Sequence, residues 1–434
     1  MKKQILINLF ILFFLFSCRS YELENIESID TPVENNSYKV SVDEAKDIAL
    51  NFMEIFQNTS AVSTRGTRVK VENIEVIKVN KAATRSAGIE NGMDTLIYAV
   101  NFSNNNGFAL VGADRRTEPI FGIVDNGSFS TDNIATNPNF AYYLNLALGK
   151  AVYDITNDTV KFAQTRSIDE YENVYGTAYN LVTKWGQGSP YSIYCPSPHT
   201  GCVTTAVAQI LSYFPVIGSV NWQDGSSSGS SLLHWGAIQT DCMMNNGHLD
   251  ISRNIQSTNE VAHLMRYLGI AFKAEYKSNE TSINSKNAIN WINDWTSLNA
   301  TELKGYSANA IFVAANRFSD KIVFMRGNKG KKKFLGITIV YTGGHAWVAD
   351  GAFTATRKSD KQLVNLYHFN WGWDGDKNGY FLEAVFDSHN PAIDDSQIPR
   401  PYSMDNDGTP YNYQYNVEYS IIEDPNKQGE PSIH

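Results

Sequence analysis

One stretch of the chain carries apolar residues at helical spacing more clearly than any other. Val203, Val207, Ile210, Leu211 and Phe214 fall on a single face, and Pro215 stops the run. The pattern predicts a buried helix that opens at Gly201-Cys202. Ser41-x-x-Glu44 is a capping box, and it opens an earlier helix with Val42, Ala45, Ile48, Ala49, Phe52 and Phe56 on its apolar face. Alternation over 69–79 predicts a strand, 96–102 with 107–111 a hairpin, and 120–124 a further strand ending at the turn Asp125-Asn126-Gly127. Pro138 starts an aromatic-rich helix that runs to Tyr153. In the second half, helices are predicted around 259–268 and 285–298. Strands are predicted at 321–325, 334–341, 363–369, 380–381 and 417–422.

Composition adds that the chain can bury a sizeable core. Of 434 residues, 42% are hydrophobic and 19% charged, which excludes global disorder. The net charge of −9, with 36 basic residues dispersed along the chain, argues against a nucleic-acid partner. Residues 1–17 read as an export signal. Lys2 and Lys3 precede an apolar run at 5–16 that is too short to span a bilayer. Leu15-Phe16-Ser17-Cys18 resembles a bacterial lipobox. Cys18 is then the lipidated first residue of an exported protein, periplasmic or on the cell surface, anchored to the membrane by lipid and not by a helix.

Residues 18–40 are polar and read as a tether. Residues 41–166 form a small α+β unit, with no Cys and no His between Arg19 and Thr165. So few catalytic side chains point to a folding, inhibitory or binding domain. The polar stretch 157–173 contains Thr165-Arg166-Ser167 and reads as a linker and processing region. The chemistry lies in 167–434. With Cys18 assigned to lipid, Cys195, Cys202 and Cys242 remain, an odd number that implies a free or reactive thiol. Cys195 and Cys202 are near enough in sequence to pair. No His/Cys cluster has zinc spacing, so neither a metal nor a cofactor is expected.

Cys202 at a helix start is favoured as a thiolate by the helix dipole and the unpaired N–H groups there. A lone cysteine of this kind is more often structural. Three other residues change that reading. His345 follows Gly343-Gly344 and opens a strand, where it can act as base. Asn370 closes a strand, where it can orient the base. Gln187 lies upstream, where its side-chain N–H groups can serve an oxyanion. Trp371 and Trp373 can cover the His–Asn contact, although indoles there also suit a core. His368 is two residues from Asn370 and shares its face, which makes it a competing histidine.

Four segments together resemble the streptopain-like cysteine peptidases, a bacterial branch of the papain-like fold. They are Trp185-Gly186-Gln187-Gly188-Ser189-Pro190-Tyr191, Gly201-Cys202-Val203-Thr204-Thr205-Ala206-Val207-Ala208-Gln209-Ile210, Gly343-Gly344-His345-Ala346-Trp347-Val348-Ala349-Asp350-Gly351 and Phe369-Asn370-Trp371-Gly372-Trp373. The likeness extends over residues 175–422. It implies an α+β peptidase domain in which a helical part carries the nucleophile and an antiparallel sheet carries His and Asn. It also implies a zymogen whose first half, 41–166, is an inhibitory pro-domain, with an activating protease as a partner and proteins or peptides as substrates. Cys202 is then the nucleophile, His345 the general base and acid, Asn370 the orienter and Gln187 the oxyanion donor. Gly344, Ser282, Trp371 and Trp373 would line the substrate cleft. Gly327-Asn328-Lys329-Gly330-Lys331-Lys332-Lys333 looks like an insertion, and the region after Phe381 lacks a glycine-rich loop that borders the cleft in the family. Specificity is therefore not carried over. Two other readings fit the same residues: a catalytically silent surface-binding protein, and a thiol acyltransferase.

Overall fold

Strands from both halves of the chain join in one twelve-stranded sheet. A computed structural model describes residues 38–59, 69–78, 95–157, 171–176, 178–278, 280–316, 320–327, 331–334, 337–340, 344–386 and 417–427. The first half supplies β1 (Val71–Lys78), β2 (Thr95–Phe102), β3 (Phe108–Gly112) and β4 (Ile120–Val124). The second half supplies β5 (Tyr171–Gly176), β6 (Lys321–Gly327), β7 (His345–Arg357), β8 (Leu363–Asn370), β9 (Gly379–Leu382) and β10 (Glu418–Glu423). The order is β1-β2-β3-β4-β9-β8-β7-β6-β10, ending on the short strand Asn299–Ala300; Lys304–Gly305 also pairs β10, and β5 pairs β7.

The helices among the described residues are α1 (Val42–Thr59), α2 (Pro138–Asn157), α3 (Cys202–Tyr213), α4 (Trp235–Met244), α5 (Ile255–Ala271), α6 (Ser285–Trp295) and α7 (Ala308–Ala315). Side chains alternate across a strand, so each strand feeds two cores. Val323 and Met325 of β6 and Trp347 and Ala349 of β7 join the core under α1, α2 and α7. Ile322, Phe324, Ala346 and Val348 join the core under α3, α5 and α6. Helix α3 is buried from Val203 to Ser212 on every side. A helix in that position is held by its surroundings more than by propensity. Val207, Ile210 and Leu211 are each fully buried, and burial of such a side chain contributes about 1.5–3 kcal/mol.

The first half packs directly on the second. Residues from Lys39 onward form one compact unit. Strand β4 pairs antiparallel with β9, matching Val124 with Gly379, Ile123 with Tyr380 and Phe121's neighbour Gly122 with Phe381. Every residue of β4 and β9 is buried. Strands apolar on both faces leave costly unpaired edges, and here each covers the other's. A Cβ at Gly379 would lie 2.2 Å from the Ile123 carbonyl oxygen, so this junction requires glycine.

Other differences are local. The hairpin Ser219–Asp224/Ser227–Leu232 is Ser- and Gly-rich, and its sequence reads as loop. Helix α4 has little amphipathic period to detect, and α7 is only 8 residues long. Strand β5 overlaps the predicted linker and is fixed by its pairing with β7. The signal and Cys18, the Thr165-Arg166-Ser167 site, Gly343 and most of the region after Phe386 lie outside the described residues. Among the described residues, no helix is long and apolar enough to cross a membrane.

Candidate active site

The nucleophile helix begins at a glycine that nothing else replaces. Gly201 has φ +93°, and a Cβ there would stand 3.1 Å from Thr281 Cγ2 and 3.4 Å from Ile283 Cδ1. Both conformation and space therefore select glycine before Cys202. The Thr205 hydroxyl ties the turn by hydrogen bonding with Thr200 Oγ1 at 2.8 Å and donating to Gly201 O at 3.2 Å. Thr200, two residues before the thiol, donates its N–H to Gln187 O at 2.8 Å and so pins the backbone of Gln187 beside the start of the helix. Gln187 is 8% exposed.

Cys202 is partly buried, and its Sγ donates to Gly344 O at 3.6 Å. Burial raises the thiol above its usual pKa, while the backbone N–H groups of Ala346, Val203 and Cys202 itself work the other way. His345 opens β7 opposite Gly327 of β6. Burial pushes its imidazole down to about 4. Burial thus favours the neutral form of both groups, and the thiol's hydrogen bond goes to the Gly344 carbonyl.

Asn370 ends β8 and is paired in register with Val348 of β7. Its Nδ2 donates to Thr183 O at 2.8 Å and to Gln209 Oε1 at 3.0 Å. Its Oδ1 accepts from Gln209 Nε2 at 3.2 Å and from Gly372 N at 3.2 Å. All four bonds go elsewhere than to His345, so the His–Asn contact expected from the sequence is not made. Trp371 is fully buried, and its indole N–H donates to Lys377 O at 2.8 Å. It packs on Phe369, Phe381 and Trp347 and is closed to substrate in this state. Trp373 is partly buried against the same core. Gly344 is exposed. Ser282 pairs with Glu275 across a two-residue ladder, next in sequence to the Thr281 that touches Gly201.

A side chain from the first half lies between these strands. Asn139, on the first turn of α2, is fully buried, and its Nδ2 donates to Ala346 O at 3.2 Å and to Trp371 O at 2.8 Å. Those carbonyls belong to the residues just after His345 and just after Asn370. The Tyr142 ring packs so closely on Gly327 that a Cβ there would meet it at 3.0 Å. Asn137 Nδ2 donates to Asp376 O at 2.7 Å. Neither Asn139 nor Gln209 stands out in the sequence. The one available signal was a polar residue on an otherwise apolar, buried helix face.

Both ring nitrogens of His368 are engaged by carboxylates. Its Nδ1 pairs with Asp350 Oδ1 at 2.6 Å and its Nε2 with Asp125 Oδ2 at 3.1 Å, and its ring stacks on Tyr179 at 4.3 Å. Burial opposes its charge, but the two carboxylates outweigh burial and raise it to about 9. Cys195, Cys202 and Cys242 are all free, so the Cys195–Cys202 pairing allowed by the sequence is not formed. Cys195 Sγ accepts from Tyr276 OH, and Cys242 Sγ accepts from Trp185 Nε1. Among the described residues, no group of three or more His, Cys, Asp or Glu is placed to hold a metal.

Residues 185–381 match the peptidase C10 family, and residues 37–148 match the Spi protease inhibitor family. The two stretches are thus similar to a cysteine peptidase and to a protease inhibitor, the pairing expected of a streptopain-like zymogen. Streptopain of Streptococcus pyogenes is 26% identical over 371 residues, covering 79% of this chain and 84% of streptopain. Streptopain of serotype M1 of that species is similar to the same extent. A solved prointerpain A fragment of Prevotella intermedia is 19% identical and covers 83% of this chain and 100% of the fragment, with a TM-score of 0.48. The comparisons support a cysteine-type endopeptidase made as a zymogen, and the fold is mixed α+β. The inhibitor match includes Asn137, Asn139 and Tyr142, and the peptidase match begins at Trp185. Intramolecular inhibition therefore comes from the half that inserts Asn139 beside the His345 strand.

Proposed function

We propose that this peptidase cleaves proteins with Cys202 as nucleophile and His345 as base, and that the first half keeps the two neutral and uncoupled until it is cut away. The observation that carries this reading is Cys202 at the start of a buried helix, facing the Gly344-His345 segment, with Asn139 held on the adjoining carbonyls. With the inhibitory half removed, His345 takes the thiol proton. The thiolate attacks the substrate carbonyl carbon, and the Gln187 amide and the Cys202 N–H stabilise the oxyanion. His345 then protonates the leaving amine. Water, deprotonated by His345, hydrolyses the acyl-enzyme and restores the thiol. Gly344 O, occupied by the thiol in the latent form, becomes free for a substrate backbone. Ser282 and Trp373 border the cleft. Asn370 acts from behind the site.

The N-terminal pattern supports export and lipid attachment at Cys18, with residues 18–40 as tether. The Thr165-Arg166-Ser167 site suits an activating protease that cuts after Arg. The test is to incubate the soluble proenzyme with reductant and trypsin while following new N-termini and peptide hydrolysis. A cut within 157–173 accompanied by a gain of activity is expected, and Cys202→Ala should be cut but stay inactive. A cut form with no titratable thiol would contradict the reading and favour a silent binding protein. Transfer of the acyl group to an added amine in preference to water would favour an acyltransferase.

A further inference from the structure

Nucleophile and base sit on different layers of this fold. Cys202 is on α3, and His345 is on the sheet. The contact between the layers is largely apolar, with Val203 and Val207 in the same core as Ala346 and Val348. Apolar contact is non-directional and does not by itself fix how the layers register. Hydrogen bonds are directional, and two buried amides cross this contact. Gln209 is fully buried on α3, about two helical turns beyond Cys202. Its amide meets that of Asn370 head to tail, donating at 3.2 Å and accepting at 3.0 Å. Gln209 Oε1 also accepts from Trp185 N at 3.0 Å, and Asn370 Nδ2 also donates to Thr183 O at 2.8 Å.

We propose that the Gln209–Asn370 amide pair is a strut that sets the position of Cys202 relative to both His345 and Gln187. The proposal rests on Cys202 and His345 being the reacting pair. Three routes converge on the strut. One runs along α3 to the thiol. A second crosses from Asn370 to Val348, three residues along β7 from His345. The third follows the chain from Trp185 to Gln187. Both side chains are positioning residues, since neither faces the thiol. The pair has no lax alternative, because a buried amide that loses its partner costs more than the bond itself contributes. Misplacing reacting groups by about 1 Å costs about a hundredfold in rate.

The test uses the matured enzyme and three readouts: kcat and KM on a peptide, the pH profile of Cys202 alkylation, and the thermal midpoint. Wild type should show thiolate reactivity well below the ordinary thiol range of about 8.5. Gln209→Leu should lower kcat by about a hundredfold with KM nearly unchanged and move the acid limb of alkylation up towards that range. Gln209→Asn and Asn370→Gln should each do the same to a smaller degree. Combined, they keep the span between helix and strand and should recover most of the lost kcat. A pair that only adds stability would lower the thermal midpoint and leave the alkylation profile alone. If Gln209→Leu does not fold, Gln209→Asn is read in the same way. A folded variant with wild-type kcat and alkylation profile overturns the strut. A wild type without low-pH thiolate reactivity overturns the nucleophile assignment and the strut together.

Discussion

His345 and His368 lie on neighbouring strands, and their surroundings drive them in opposite directions. Burial of His345 disfavours its charged form, and its imidazole falls to about 4. His368 is more deeply buried, yet Asp350 and Asp125 raise it to about 9. Burial penalises charge, and only nearby opposite charge reverses that penalty. Burial therefore favours the neutral form of His345. The two carboxylates favour the charged form of His368 and tie it to both halves, since Asp125 comes from the inhibitory half and Asp350 from the peptidase half. Tyr179 and Tyr380 complete the surroundings of His368.

The sharpest way to break this contrast is to remove each ring. In the matured enzyme His345→Ala should lower kcat/KM by about 10⁴-fold, as should Cys202→Ala, with little change in stability. His368→Ala in the proenzyme should instead destabilise it by about 3–5 kcal/mol in urea unfolding, because Asp350 loses its counter-charge while buried. Equal effects on stability from both substitutions would erase the distinction.

The pH dependence of stability should carry opposite signs. For His368 the folded value of about 9 lies above the ordinary 6.5, so its contribution is complete below about pH 6.5 and lost as pH rises through about 9. For His345 the folded value of about 4 lies below 6.5, so its contribution is present above about pH 6.5 and lost as pH falls through about 4. Urea unfolding of the proenzyme across pH should lose the alkaline decline in His368→Ala and part of the acid decline in His345→Ala.

A smaller effect separates the two carboxylates. Asp125→Asn should lower the pKa of His368 in the proenzyme, read from its imidazole proton shifts by NMR. The same substitution has no counterpart once the inhibitory half is removed, where Asp350 alone remains. A His368 value unchanged by Asp125→Asn would remove the inhibitory half from the pair.

The sequence carries the parts of this site that depend on near neighbours. Helix α3 and Cys202 at its start were legible because apolar spacing, glycine and proline all lie within fifteen residues of one another. Strands such as 120–124 showed as short apolar runs. The roles of Asn139, Asp125 and Gln209 were not legible, because each partner is remote in sequence. Asn139 meets Trp371 across 232 positions, and Asp125 meets His368 across 243. Both contacts join the halves that the β4–β9 pairing brings together, and nothing in either strand names its partner. The fate of Asn370 was hidden likewise. Its place after a strand suggested an orienter, but its bonds were decided by Gln209 on another layer.

The most direct test of the central claim, that the inhibitory half keeps thiol and imidazole neutral and apart, is the pH profile of Cys202 alkylation before and after activation. The intact proenzyme should react only as pH rises through or above the ordinary thiol range of about 8.5, and the matured enzyme should react well below pH 7. A reactive thiolate at low pH in the intact proenzyme, or an identical profile after cleavage, would contradict it.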